Sequence, residues 1–138
     1  MYQISNFMDN DDVKTLASAG PFSVIEYVRD LSVMPSSATV AYFSSQMNVR
    51  KRQVVCDLSK ASVTIQAGAM QWMLGNVNAT TGIKGVGDLF GKAVRGKVTG
   101  ESAIKPEYTG DGLLVLEPTY KHLILMDAAD WGGSVVLD

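Results

Sequence analysis

From Ser62 to Asp127 the chain runs in short apolar–polar alternations broken by glycine, the feature that most limits what it can fold into. In Ser62–Ala67, Val63, Ile65 and Ala67 alternate with Ser62, Thr64 and Gln66. Successive side chains of a strand point to opposite faces, so this period of two marks a half-buried strand. Gly68 is expected to bend the chain, after which Ala69–Leu74 carries Met70, Trp72 and Leu74 on one face and Gln71 on the other. Gly75 is read as a second bend before Asn76–Thr81, where Val77 and Ala79 share a side. Leu113–Leu116 and Leu123–Met126 are continuous apolar runs, the pattern of strands covered on both faces, and Gly110, Gly112 and Pro118 punctuate them. Pro106 lies inside Ser102–Tyr108 and makes that run an edge strand, because proline cannot donate to a ladder. Many short strands with turn residues at close intervals predict a mainly β domain, a sandwich or a barrel.

The remainder of the chain predicts two or three short peripheral helices and two further strands. Asp9–Ala19 reads as a helix, with acids at its start to meet the positive end of the dipole and Gly20-Pro21 to stop it. Phe22–Val33 reads as a strand for its Phe, Val, Ile and Tyr content, although Val24, Tyr27, Val28 and Leu31 also fit helical spacing. Ser36 and Ser37 can cap a helix over Ala38–Gln46, with Val40, Phe43 and Met47 recurring at three and four residues. Arg50, Lys51 and Arg52 then read as a solvated strand end before a strand at Val54–Leu58. A second amphipathic helix is expected from about Gly87 to Val94, with Val86, Phe90, Ala93 and Val94 on one face, Leu89 beside them, and Lys92, Arg95 and Lys97 near its far end.

Composition narrows the function classes. The 138 residues suit one domain, and 46% hydrophobic against 19% charged is not a disordered composition. The net charge of −2 lacks the basic excess of a protein held by nucleic-acid phosphates, which excludes DNA as a partner and disfavours RNA. Cys56 is the single cysteine, so no intramolecular disulfide forms and a reducing compartment fits. The N-terminus has no basic n-region and no long apolar run, and no stretch approaches the ~20 apolar residues of a membrane helix, so a cytoplasmic location is expected.

Each candidate for chemistry has a plainer structural role. Gly85-Val86-Gly87-Asp88-Leu89-Phe90-Gly91 has the outline of a dinucleotide loop but carries Phe90 at the third glycine. His122, the only histidine, has no His, Cys or carboxylate beside it at ligand spacing and reads as a strand residue. Cys56 among Val54, Val55 and Leu58 reads as a small buried hydrophobe. Met70, Trp72, Met73 and Leu74 read as core, with a ligand pocket as the alternative. Glu101, Glu107, Asp111 and Glu117 are too scattered to define an acid–base pair.

Gln66-Ala67-Gly68-Ala69-Met70-Gln71-Trp72-Met73, followed by Gly75-Asn76-Val77, resembles a motif of the altered-inheritance-of-mitochondria protein twenty-four family, a domain of unknown function known chiefly from mitochondrial biogenesis. Val98-Thr99-Gly100-Glu101-Ser102 and Gly110-Asp111-Gly112-Leu113-Leu114-Val115-Leu116-Glu117-Pro118 resemble its later motifs, so the likeness covers Ser62 to Asp127, while the first 60 residues match poorly. The resemblance implies an all-β fold like that of the tryptophan RNA-binding attenuation protein, a double-stranded β-helix or sandwich, in folds that commonly oligomerise through strand edges. It implies no catalytic residue and no cofactor. Mitochondrial members are linked to inner-membrane organisation; this chain, without an Arg-rich presequence, is more similar to a bacterial, cytoplasmic branch. Family members continue into further strands, so the apolar end Ser134–Asp138 reads as that of a short form or of the first part of a longer protein, and a strand there would be an open edge.

The resulting expectation is one β domain over residues 1–138 that works as a non-enzymatic scaffold or interaction module, self-associating through strand edges into a homo-oligomer. Val86, Leu89, Phe90, Val135, Val136 and Leu137 are the expected interface residues. The alternatives are a small-molecule-binding β-barrel or cupin-like enzyme, and RNA binding by analogy of fold. A cupin-like metal site uses several histidines and this chain has one, so no metal is expected. Three basic residues in the 86–97 segment are few for stable binding to a membrane surface.

Overall fold

The computed structural model describes residues 3–80 and 105–136. Gly20 and Pro21 settle its first element. Gly20 takes φ +54°, proline supplies the negative φ that follows, and this sign pattern is that of a type II′ two-residue hairpin turn. Val13–Ala19 is therefore strand β1, paired antiparallel with β2 (Phe22–Tyr27) from Val13↔Tyr27 to Ala19↔Phe22. This corrects the helix expected over Asp9–Ala19. The acids at its start form local turns instead: the Asn10 side-chain oxygen accepts from the Asp12 amide at 2.8 Å and Asp9 accepts from the Phe7 amide at 3.0 Å.

After β2 the chain forms helix α1 (Ala38–Gln46), at the expected bounds, then strand β3 (Arg52–Asp57). Ser37 sits at the N-cap of α1, yet its hydroxyl donates to the Met34 carbonyl and makes no cap bond. Strand β4 is only Val63–Thr64, shorter than the alternation of Ser62–Ala67 predicts, although Val63 and Ile65 are buried as the alternation requires.

Strand β5 (Met70–Thr80) and strand β6 (Glu107–Leu116) are the long pair of the sheet. Gly75 does not bend β5, and Gly110 and Gly112 lie within β6 rather than between strands. Their role is close approach. A Cβ on Gly112 would lie 2.2 Å from the Leu74 carbonyl oxygen, and one on Gly110 would lie 2.1 Å from that of Asn76. Pro106 stands just before β6, outside the ladder, so the proline that suggested an edge strand is compatible with a central one.

The strands form one curled antiparallel sheet, mainly β as expected, with β6 at its centre. β5 runs along one side of β6. β3 pairs with Leu113–Val115 and β4 with Glu107–Tyr108 along the other. β2 joins β3, and β1 closes that side. Each face carries its own apolar cluster. Cys56, Leu58, Val63, Ile65, Tyr108 and Leu114 form one, and Val13, Ile25, Val55 and Val115 form the other. Leu114 and Val115 point to opposite clusters and are both fully buried, so the run Leu113–Leu116 is covered on both faces as its composition predicts. A register shift at Gln71 sends Met70 to the first cluster and Trp72 to the second, which corrects their placement on one face.

The second apolar run, Leu123–Met126, is not a strand: Ile124 is 79% exposed. His122 accordingly lies exposed outside any strand. A short 3₁₀ helix, Ala128–Trp131, follows, with Asp127 accepting from the Ala129 amide at 2.9 Å. No helix among the described residues is long and apolar enough to cross a membrane.

Candidate strand edge, ion cluster and cleft

Of the expected interface residues, Val86, Leu89, Phe90 and Leu137 lie outside the described residues, as do Glu101, the glycine-rich Gly85–Gly91 and the helix expected from Gly87 to Val94. Val135 and Val136 are described. Both are exposed, Val136 at 95%, and neither belongs to a strand, so the expected sheet edge at Ser134–Val136 is absent. Among the described residues β1, β4 and β5 each pair on one side only, and β4 is just two residues, so the long open edges are those of β1 and β5.

These two edges differ in chemistry. Both carry a bulge, β1 at Leu16 and β5 at Gln71, and β1 also carries Lys14, a charge that discourages edge-to-edge pairing. β5 reads Met-Gln-Trp-Met-Leu-Gly-Asn-Val-Asn-Ala-Thr, with no charge and no proline. It is 11 residues long, about 36 Å at a strand's rise.

The basic triplet is withdrawn from solvent, Arg52 fully and Arg50 and Lys51 in part, contrary to its reading as a solvated loop or strand end. Arg52 and Glu26 are each 2% exposed, on adjacent strands at register-paired positions. Arg52 Nη2 donates to Glu26 Oε2 at 2.6 Å, and Lys14 and Arg50 reach Glu26 Oε1 at 3.2 and 3.4 Å. Burial alone would raise the Glu26 carboxyl, but hydrogen bonds and charge from Lys14 and Arg52 outweigh it and hold the pKa below 4.5. Arg52 Nε and Nη1 are buried with no hydrogen-bond partner among the described residues. Lys51 belongs to a second pair, donating to Asp30 Oδ2 at 2.7 Å.

On the opposite face a cleft of about 350 Å³ opens between β2, β3, β5 and the N-terminal turns. Its wall is a hydrogen-bonded chain through Gln53, itself 3% exposed. Gln53 Nε2 donates to the Leu116 carbonyl at 2.9 Å and to Gln71 Oε1 at 2.7 Å, and Tyr27 donates to Gln53 Oε1 at 2.5 Å. Burial raises the Tyr27 phenol above 10.0, so it remains a donor. Lys51 stands 6.0 Å from the centre of the Tyr27 ring. Trp72 lines the cleft and meets Phe7 edge to face at 5.3 Å. Of the run read as core, Met70 and Trp72 pack against the two clusters, Trp72 and Leu74 also each line a cleft, and Met73 is exposed.

Cys56 is fully buried, and burial pushes its thiol to about 11, so it is the inert hydrophobe the sequence suggests. Glu107, Asp111 and Glu117 are exposed along and just beyond β6. Sequence reasoning missed Glu26, Gln53 and Gln71 as structural and cleft residues. The available signal was a polar residue at a strand position whose neighbours two away are apolar: Glu26 after Val24, and Gln53 before Val55.

No curated protein and no solved structure matches the chain. A family model described as mitochondrial biogenesis AIM24 matches residues 43–137, more than half of the chain, and that span takes in β3 as well as the glycine-punctuated block. The chain belongs to the mitochondrial biogenesis AIM24 family.

Proposed function

We propose that this protein is a non-enzymatic scaffold that self-associates through the free edge of β5. The observation that carries this reading is a strand of 11 residues with neither charge nor proline, unpaired on one side among the described residues, on a sheet whose β1 edge carries a lysine. An open edge offers a row of unpaired amides and carbonyls to a second copy. About half of the β5 amides point away from β6. Each new backbone bond contributes roughly 0.5–1.5 kcal/mol, so several together stabilise a dimer. Two sheets joined this way give a continuous antiparallel layer with an apolar cluster on each face, which fits a sandwich or double-stranded β-helix of the attenuation-protein kind. We place the assembly in the cytoplasm, which the single buried cysteine suits. The family description, mitochondrial biogenesis, is compatible with a protein that acts by assembling.

Light scattering on the double variant Asn76→Lys/Asn78→Lys tests the reading. Both side chains are exposed on β5, and edge lysines are how natural sheets block pairing. The wild type is expected to be oligomeric at micromolar concentration and the variant monomeric, with unchanged circular dichroism. A wild type that is monomeric throughout contradicts the proposal, as does an oligomer indifferent to the two lysines.

A further inference from the structure

The cleft beside Trp72 has a polarity that can be worked out atom by atom. The Leu116 carbonyl can only accept, so the Gln53 atom facing it is the amide nitrogen. That nitrogen also faces Gln71, whose partner atom is therefore its oxygen, and Gln53 Oε1 is left to accept from Tyr27. One backbone carbonyl thus orients the whole chain, and its consequence is that the Gln71 NH₂ is not used by Gln53 and has no partner among the described residues. Lys51 adds another donor. Two of its three ammonium hydrogens are used by Asp30 at 2.7 Å and Ser32 at 2.9 Å, which leaves one.

Several acceptors around the cleft are occupied: Asn10 Oδ1 accepts from the Asp12 amide, Asp30 Oδ1 accepts from the Ser32 amide and hydroxyl, and the Asp12 carboxylate is ion-paired with Arg29, although its Oδ1 makes no hydrogen bond among the described residues. The Gln71 amide and the third Lys51 hydrogen are unfilled donors among the described residues, and Trp72, Phe7 and Pro118 line the same cleft. A volume of about 350 Å³ lies within the range of small-ligand sites.

We infer that this cleft binds a small aromatic carboxylate, its ring against Trp72 and its carboxylate oxygens accepting from the Gln71 amide and the Lys51 ammonium. A carboxylate suits these two donors better than a neutral carbonyl, because hydrogen bonds to an ionised acceptor are the stronger ones. The site is built from side chains of β5 and its neighbours and does not require the β5 edge to be paired.

Sodium 2-naphthoate is the probe, titrated into the full chain by calorimetry, with the chemical shift of the Trp72 indole N–H followed in parallel. A Kd of about 1 mM or tighter is expected for a ligand of this size. Gln71→Leu, a change at an exposed position, is expected to weaken binding at least ~5-fold, about what one lost hydrogen bond is worth. Lys51→Met is expected to weaken it at least as much, and the neutral analogue 2-naphthalenemethanol to bind less tightly than the carboxylate. Phe43→Ser, on the exposed face of α1, is expected to leave the Kd unchanged. Absence of binding at 5 mM probe overturns the inference. So does an equal Kd in a folded Gln71→Leu, equal binding of the neutral analogue, or loss of binding in Phe43→Ser.

Discussion

At the scale of single residues, burial decides what each ionisable group contributes. Glu26 carries a depressed pKa, so its stabilising effect is complete above its ordinary value of 4.5 and is lost as pH falls through the lower folded value. Asp30 and Asp57 are also depressed and act in the same acid window. Urea unfolding followed between pH 6 and pH 3 is expected to show falling stability, with a shallower fall in Glu26→Gln. At pH 7 that variant leaves Arg52 buried without its counter-charge, and a loss of roughly 3–5 kcal/mol is expected, whereas the double change Glu26→Leu/Arg52→Met costs less than either single one. Cys56 has the opposite sign. Its thiol is raised to about 11 from 9.0, so the stability it contributes is present below pH 9.0 and is lost as pH rises toward 11. Native Cys56 is expected to stay unreactive to a thiol reagent at pH 8 and to react at once in denaturant; rapid labelling of the native protein contradicts its burial.

At the scale of elements, glycine was the residue hardest to interpret from sequence. Gly20 with Pro21 looked like helix-stop chemistry and is a hairpin turn, because the strand partner that decides between them, β2, follows at once. Gly68 does bend the chain, at φ +81°. Gly75, Gly110 and Gly112 lie inside continuous strands, and Gly110 and Gly112 let two backbones approach, a role set by the partner strand and invisible in either strand alone. Gly112→Ala is expected to destabilise by at least about 3 kcal/mol, since its new methyl meets the Leu74 carbonyl on the rigid partner backbone. A urea midpoint within error of wild type contradicts that close approach. Helix α1 was legible in its bounds because its apolar spacing is local. That its apolar face lies open was not legible, since exposure depends on what the rest of the chain brings against it: Phe43 is 63% exposed and no residue of α1 is buried.

At the scale of the whole molecule, the mainly β class and the double-sided burial of Leu113–Leu116 follow from alternation and apolar runs, and the family match rests on the same block. The Leu123–Met126 run shows the limit of that logic, because apolar residues form a strand only where a sheet edge receives them. The cleft was illegible for a related reason. Tyr27, Gln53 and Gln71 come from three strands, and only the pairing of β2, β3, β6 and β5 brings them together.

The central claim is that a second copy pairs with the free edge of β5. Amide hydrogen exchange of β5 at two protein concentrations tests it most directly, residue by residue. Alternate amides from Trp72 to Thr80, those pointing away from β6, are expected to be protected at high concentration and to exchange rapidly on dilution, while the intervening amides stay protected throughout. Outward amides that exchange at one rate at every concentration, fast or slow, contradict the account.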